Sequence, residues 1–416
     1  MSRALIAGAV LGAGLVTGGM LIQSGAWREA DASPGTPRLL DQVMARIAND
    51  YIDTLSVEQL HQKAAFGMVK ELEDPYSALL SPERAARLRE NTTGRYAGIG
   101  VELDLRDGYV TVIAPIAKTP ADSAGIRPGD RIIAVDRKST IGLTMEEVQQ
   151  AMRGPAGSTI ELSIERGEDD HASVTLQRRL ITYHPVQHSQ LLAPEVGYIA
   201  LATFSEQAAA EVRHAVDSLR RAGARSLVLD LRENPGGLLE QGIAVAELFL
   251  DASRPIARTL GRTPEDNHEF TDRSPQSWPA MPIVALVDSG TASAAEIVAG
   301  ALQDNDRAVI MGSPSYGKGS AQGIFTVAGG NALKLTTARW FTPAGRTIER
   351  DSTAGGITPD VIVRQPDVAS DSIVGRPSPP LASDPVVARA VELLRGAQSP
   401  ADLRARAPRA RSNTTP

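Results

Sequence analysis

The chain has 416 residues, too many for one compact core of ordinary size, so two or three domains are expected. Apolar residues at 42% and charged residues at 22% exclude a wholly disordered, collagen-like or polytopic membrane chain. A net charge of −6, from 43 Lys+Arg against 49 Asp+Glu, provides no positive field for nucleic acid, and the lack of any Cys removes thiol nucleophiles, thiolate metal sites and disulfides. Covalent catalysis would fall to Ser, Thr, Lys or a carboxylate.

Behind Arg3, the run Ala4–Ala26 carries no charge and is built of Ala, Gly, Leu, Ile and Val. At 1.5 Å per residue it can cross a bilayer core of ~30 Å. Ala30-Asp31-Ala32 before Ser33 also reads as a signal-peptidase site. Cleavage and anchoring both stay open, and both send the body across the membrane.

Leu40, Val43, Met44 and Ile47 recur at helical spacing, and a second helix is expected from Val57 to Leu72, before Asp74-Pro75. From Gly94 the pattern turns to short β-rich runs at Gly100–Leu105 and Tyr109–Ile113. Then come a Pro128-Gly129-Asp130 turn, a strand Arg131–Val135, a helix Met145–Arg153 and a strand Thr159–Arg166. From Val196 strand and helix alternate: Val196–Ala202, Ala208–Ala222, Ser226–Leu231, Leu238–Leu250, Ile283–Val287, Ser293–Leu302 and Ala308–Met311. That is α/β order. Beyond Val363 a Pro/Ser/Asp-rich stretch precedes a helix at Asp384–Arg395. The tail with Arg404, Arg406, Arg409 and Arg411 reads as disordered, its arginines as solvated.

Three loops carry possible chemistry. Ser293, after the buried strand Ile283–Val287, opens a helix where unpaired amides and the macrodipole favour an oxyanion. It is a candidate nucleophile, yet Ser293-x-x-Glu296 is equally a capping box. Lys318 lies between Gly317 and Gly319, where backbone can close around it. It is either an exposed lysine in a glycine turn or a desolvated base, which needs its pKa lowered by ~3 units. Asp230 to Gly237 is either a plain glycine turn or a source of oxyanion-binding amides. All three loops follow strand carboxyl ends of one α/β unit, where such sheets place their sites. Gly312-x-x-x-x-Gly317-Lys318 nearly spells a phosphate loop, but Gly319 stands where magnesium needs a hydroxyl, and Gly323–Val327 continues as a strand. Six histidines form no zinc-protease pair, and Pro185 spoils the His184/His188 spacing. No metal or cofactor is expected.

The string Val287–Gln322 resembles the catalytic core of the carboxyl-terminal processing peptidases, also called tail-specific proteases. Supporting strings stand in family order: Asp74-Pro75-Tyr76-Ser77, Tyr96–Glu102, Ala124–Asp130, Leu231–Gly237, Thr342–Arg346 and Gly356–Asp360. The resemblance implies that Ser293 attacks the peptide carbonyl, that Lys318 is its general base and that Gln322 orients the lysine. It implies an oxyanion hole of Ala294 N–H with the amide of Gly236 or Gly237, and it leaves Glu296 a structural acid. The family often has a second serine two residues after the nucleophile; here Ala295 stands there.

Residues 94–185 resemble a PDZ domain with Gly98-Ile99-Gly100-Val101 as its carboxylate-binding loop, where consecutive amides hold a chain end and a strand edge adds the substrate. Holding domains together is the other use of such a module. The fold class implied is α/β, a crotonase/ClpP-like peptidase core with an inserted PDZ-like domain. The order is leader 1–32, helical segment 33–93, PDZ-like domain 94–185, core 186–370, and helix with tail 371–416. Its expected partners are protein or peptide substrates with free carboxyl termini, an adaptor protein, a second copy, and a membrane if the leader stays. The rival readings are a PDZ scaffold on a degenerate peptidase and an acyl-transfer enzyme on a crotonase-like core.

Overall fold

The computed structural model describes residues 37–167, 170–350, 355–363 and 381–407. The run 4–26, the motif at 30–32 and the arginines 409 and 411 lie outside them. Among the described residues no helix is long and apolar enough to cross a membrane.

The chain divides after Glu73. The first unit contains the helices Pro37–Asp50 and Val57–Lys70. Of the expected apolar face on the first, Met44 is buried while Leu40, Val43 and Ile47 are exposed. The second starts at a closed capping box: Ser56 Oγ accepts from Gln59 N–H at 3.1 Å, and Gln59 Oε1 accepts from Ser56 N–H at 2.8 Å.

The second unit opens with the strand Ala78–Leu80 and the helix Pro82–Thr93. That helix is polar almost throughout, so no apolar period marks it. Its ends do: Ser81 caps it, Pro82 takes the first helical position, and Gly94 closes it at φ +69°.

The β-rich unit is an insert. Its incoming strand Arg95–Gly98 pairs antiparallel with its outgoing strand Arg179–Thr182, Arg95 opposite Thr182. Between them Val101–Arg106, Tyr109–Pro115, Arg131–Val135, Thr159–Arg166 and Asp170–Gln177 form a sheet, with Lys138–Ser139 beside the third strand. The helix Met145–Met152 packs on it through Val148 and Met152, in a core of its own with Ile99, Val112, Ile132 and Ile160.

The core sheet runs Val186–Ala193, Val196–Leu201, Ser226–Asp230, Ile283–Val287, Val309–Gly312, Val361–Ile362. Only the first pair is antiparallel. Ile283, Ala285 and Val287 face the helices Ala208–Arg221, Leu239–Glu247 and Ala294–Asp304, while Val284 and Leu286 face the carboxyl-terminal helix Pro385–Leu394. Burial on both sides is why this strand reads as a continuous apolar run. A second sheet is built on the long strand Ala332–Phe341, which carries Ser320–Thr326 along one edge and Ala78–Leu80 and Pro255–Gly261 along the other, with His268–Thr271 beyond.

The α/β core with an inserted PDZ-like domain is therefore present, but the reading of the tail needs correction. Residues Pro400–Arg406 form a helix capped by Ser399, and Leu403 is fully buried in the apolar cluster under the core sheet. Arg404, expected to be solvated, reaches Asp306 at 2.9 Å and Asp360 at 2.7 Å, and Arg406 pairs with Asp402 at 3.0 Å. One buried leucine docks the helix, and docking supplies Arg404 with its two carboxylates, while Arg406 pairs within the helix.

Candidate active site

Three loops of the core meet at the start of the helix Ala294–Asp304. In the turn before it, Asp288 Oδ1 accepts from Gly290 N–H at 3.0 Å and Thr291 N–H at 3.1 Å, fixing an Asx turn. The same oxygen accepts from Glu233 N–H at 2.9 Å, which ties the glycine loop to this turn. The Asp288 charge, then burial, pushes the Glu233 carboxyl above its usual range. Ser293 then sits at φ +56°, ψ −117°, a left-handed backbone that costs a non-glycine residue ~1–3 kcal/mol and persists only where surroundings enforce it. An ordinary N-cap is extended. The Ser293/Glu296 pair has the outline of a capping box, but the half that closes as a hydrogen bond is Ser293 N–H to Glu296 Oε2, at 2.7 Å.

Glu296 is fully buried and does more than cap. Its Oε1 accepts from Ser315 Oγ at 2.5 Å and Gly317 N–H at 2.7 Å, and its Oε2 also accepts from Lys318 N–H at 2.9 Å. One carboxylate thus holds the backbones of Ser293 and Lys318 together. Burial pushes its carboxyl above the usual range against those four donors, which favour the ionised form.

Lys318 is half-buried, its carbonyl held by Trp340 Nε1 at 2.9 Å. Burial, then the charge of Lys334, holds its amine below the ordinary lysine range. Gln322 lies in the strand Ser320–Thr326, and its Nε2 donates to Ser320 Oγ at 3.0 Å and Thr336 Oγ1 at 3.2 Å. Those bonds fix its carboxamide. No hydrogen bond joins it to the lysine amine, the contact expected of it.

The glycine loop closes the site. Gly236 has φ +94°, and a Cβ there would stand 2.8 Å from Ser293 Cβ and 2.9 Å from Ala294 N, so only glycine permits this approach. Its N–H is taken by Asn234 Oδ1 at 2.9 Å, while Asn234 Nδ2 donates to Leu201 O at 2.6 Å. The N–H groups of Gly237 and Ala294 have no partner among the described residues. Asn234 is wholly buried, and nothing in the Leu231–Gly237 sequence marks it; only its side-chain bonds reveal that it occupies one of the two glycine amides.

A cavity of about 1100 Å³ is lined by Ser293, Ala294, Gly236, Gly237, Lys318 and Gln322, and also by Gly98, Ile99, Gly100 and Val101 of the insert. Residues 195–363 match peptidase family S41 and residues 111–166 match the PDZ domain. The chain is 37% identical to the carboxy-terminal-processing protease of Bartonella bacilliformis over 329 residues, 78% of this chain and 74% of that one. This protein is a carboxyl-terminal-processing protease of peptidase family S41. The processing protease of Synechocystis sp. is 39% identical over 306 residues, 72% of this chain and 70% of its own. A solved S41 protease structure from Bacteroides fragilis, 18% identical and covering 81% of this chain and 92% of its own, superposes with a TM-score of 0.51, which shows a common fold.

In this processing protease the PDZ loop is built to expose amides. Ile99 O accepts from Ala121 N–H at 2.9 Å, and Gly100 O accepts from Ile116 N–H and Thr119 Oγ1, both at 3.0 Å. With the carbonyls turned into the domain, the N–H groups of Ile99 and Gly100 have no partner among the described residues. At Gly100, φ +75°, a Cβ would stand 2.4 Å from Thr119. Gln149 and Met152 of the helix Met145–Met152 line the same cavity.

Proposed function

We propose that this serine protease works through a Ser293/Lys318 dyad and that its PDZ domain reads the substrate's carboxyl terminus. One observation carries the reading: a strained serine, a desolvated lysine, two unpartnered amides and the PDZ loop all line one cavity. Neutral Lys318 Nζ takes the Ser293 hydroxyl proton as Oγ bonds to the carbonyl carbon, whose oxygen becomes an oxyanion. Ala294 N–H and Gly237 N–H receive that charge, Gly237 rather than Gly236 because Asn234 already holds the Gly236 amide. The C–N bond then breaks, the lysine proton passes to the leaving amine, and water released by the same base frees the acyl group. Gln322, fixed by Ser320 and Thr336, keeps its carboxamide oxygen for the ammonium that forms. A degenerate scaffold would need none of these features together, and a crotonase-like acyl transferase would have no use for the chain-end loop.

Peptides that differ only in amidation of the terminal carboxyl test the PDZ part. Charge-assisted hydrogen bonds contribute ~1.5–3 kcal/mol, so amidation is expected to lower kcat/KM by about tenfold or more. Equal rates for both peptides would show that the loop does not read chain ends.

We further propose that the body works outside the cytoplasm, on the strength of the uncharged run 4–26 behind Arg3. Spheroplasts treated with an external protease should lose the body while cytoplasmic markers survive. Protection of the body until the inner membrane is lysed would exclude it.

A further inference from the structure

Tyr76 belongs to the turn that begins the second unit, distant in sequence from the reactive loops. Its N–H donates to Asp74 Oδ1 at 3.0 Å, and Ser77 Oγ donates to Asp74 Oδ2 at 2.5 Å. Ser77 Oγ in turn accepts from Thr336 N–H at 3.0 Å, on the strand whose Thr336 hydroxyl holds Gln322. The turn is thereby fastened to the sheet beside the lysine, and the Tyr76 ring stands over Lys318 Nζ, 5.0 Å from the ring centroid.

That amine has no hydrogen-bond acceptor or ion-pair partner among the described residues, and the aromatic face of Tyr76 stands against it. The phenol itself stays neutral, pushed up to about 12 by burial and by Tyr316, Glu349 and Glu296. We propose that Tyr76 is a positioning residue for Lys318, its ring closing the solvent side of the amine and holding Nζ toward the reaction cavity. The proposal rests on Lys318 serving as the base.

Two effects of the ring oppose one another. Its negative face favours the ammonium, while its bulk denies that ammonium water. Exclusion of water governs, because burial is the largest influence on this amine and no hydrogen-bond acceptor among the described residues replaces the water it loses. The other groups around the amine remain in place when the ring is removed: Lys334, which favours the neutral form, and Glu296, Asp74 and Glu349, which favour the charged one. Opening the site to water then raises the amine's pKa. Since only the neutral amine accepts the serine proton, the acid limb of activity moves to higher pH.

The test is kcat/KM against pH for the full chain on a fluorogenic peptide with a free carboxyl terminus. Wild type is compared with Tyr76→Phe, Tyr76→Ala, Tyr76→Gln and Lys318→Arg. Tyr76→Phe keeps the ring and should stay within about threefold of wild type, while Tyr76→Ala should move the acid limb up by about one unit, a loss of roughly tenfold below the limb that is regained at alkaline pH. KM should stay within about twofold. Tyr76→Gln, which fills the space but admits hydration, should move the limb the same way and covers the case in which the alanine variant fails to fold. An unmoved limb, an equal loss at every pH, or Tyr76→Phe as impaired as Tyr76→Ala would overturn the proposal while leaving the dyad standing. Retained activity in Lys318→Arg would remove the base assignment, and this role with it.

Discussion

Ser293→Ala should leave a folded protein with activity lower by several orders of magnitude. The alternative, a serine that only caps its helix, predicts a cost of ~1 kcal/mol in stability with activity intact. The backbone is unlike that of an ordinary cap, since Ser293 stands at φ +56° where an N-cap is extended, and the hydrogen bond that forms uses its amide and the Glu296 carboxylate. Lys318→Arg extends the test. Guanidinium keeps the charge and approximate length but stays protonated, so it cannot accept the serine proton. A lysine acting as a charge anchor would tolerate the change, and a base would not. In the proposed dyad the two residues act as a unit, so the double variant should be scarcely worse than either single one. Retained peptidase activity in folded Ser293→Ala, or losses that multiply in the double variant, would defeat the assignment. Melting temperature and casein hydrolysis measured on the same samples decide it.

Glu296→Gln should be nearly as damaging as Glu296→Ala, an unusual result for so conservative a change. The carboxylate receives four donors, two on each oxygen. A carboxamide replaces one acceptor with a donor, so whichever way it turns, at least one buried N–H loses its partner. Ser315 cannot compensate fully, because its hydroxyl already accepts from Ile357 N–H at 2.6 Å. Each unsatisfied buried donor costs ~1–3 kcal/mol. The larger effect is on rate: the same bonds fix Ser293 and Lys318 relative to one another, and displacement of about 1 Å at a reacting group costs ~10²-fold. Thermal unfolding and kcat for both variants check this. A Gln variant with wild-type melting and wild-type kcat would show that the carboxylate's charge and acceptor count are irrelevant.

The parts of this protein legible in its sequence are those whose determinants are local. The strand Ile283–Val287, its small-residue turn and the helix after it could be read because two-sided burial writes an unbroken apolar run. The second sheet was mostly missed: Ala332–Phe341 is half-buried along most of its length and mixes polar with apolar residues, so neither period stands out. Which glycine amide is free could not be read from Gly236-Gly237, because the choice is made by the side chain of Asn234 folding back on its own loop. Nor could the contact of Tyr76 with Lys318, which depends on joining residues as far apart as Ser77 and Thr336, 259 positions along the chain. The docking of Arg404 is of the same kind, since Asp306 and Asp360 come near it only after Leu403 is buried.

The paired strands at the base of the PDZ domain make that domain a cassette. Residues opposite one another in an antiparallel ladder have Cα atoms ~4.5–5.5 Å apart, so the two points where the chain leaves and rejoins the peptidase, Arg95 and Thr182, are separated by little more than one residue's reach. A two-residue hairpin turn can span such a gap. The insert can therefore be cut out or exchanged for another domain with adjacent ends, with no strand of the core sheet among the residues replaced.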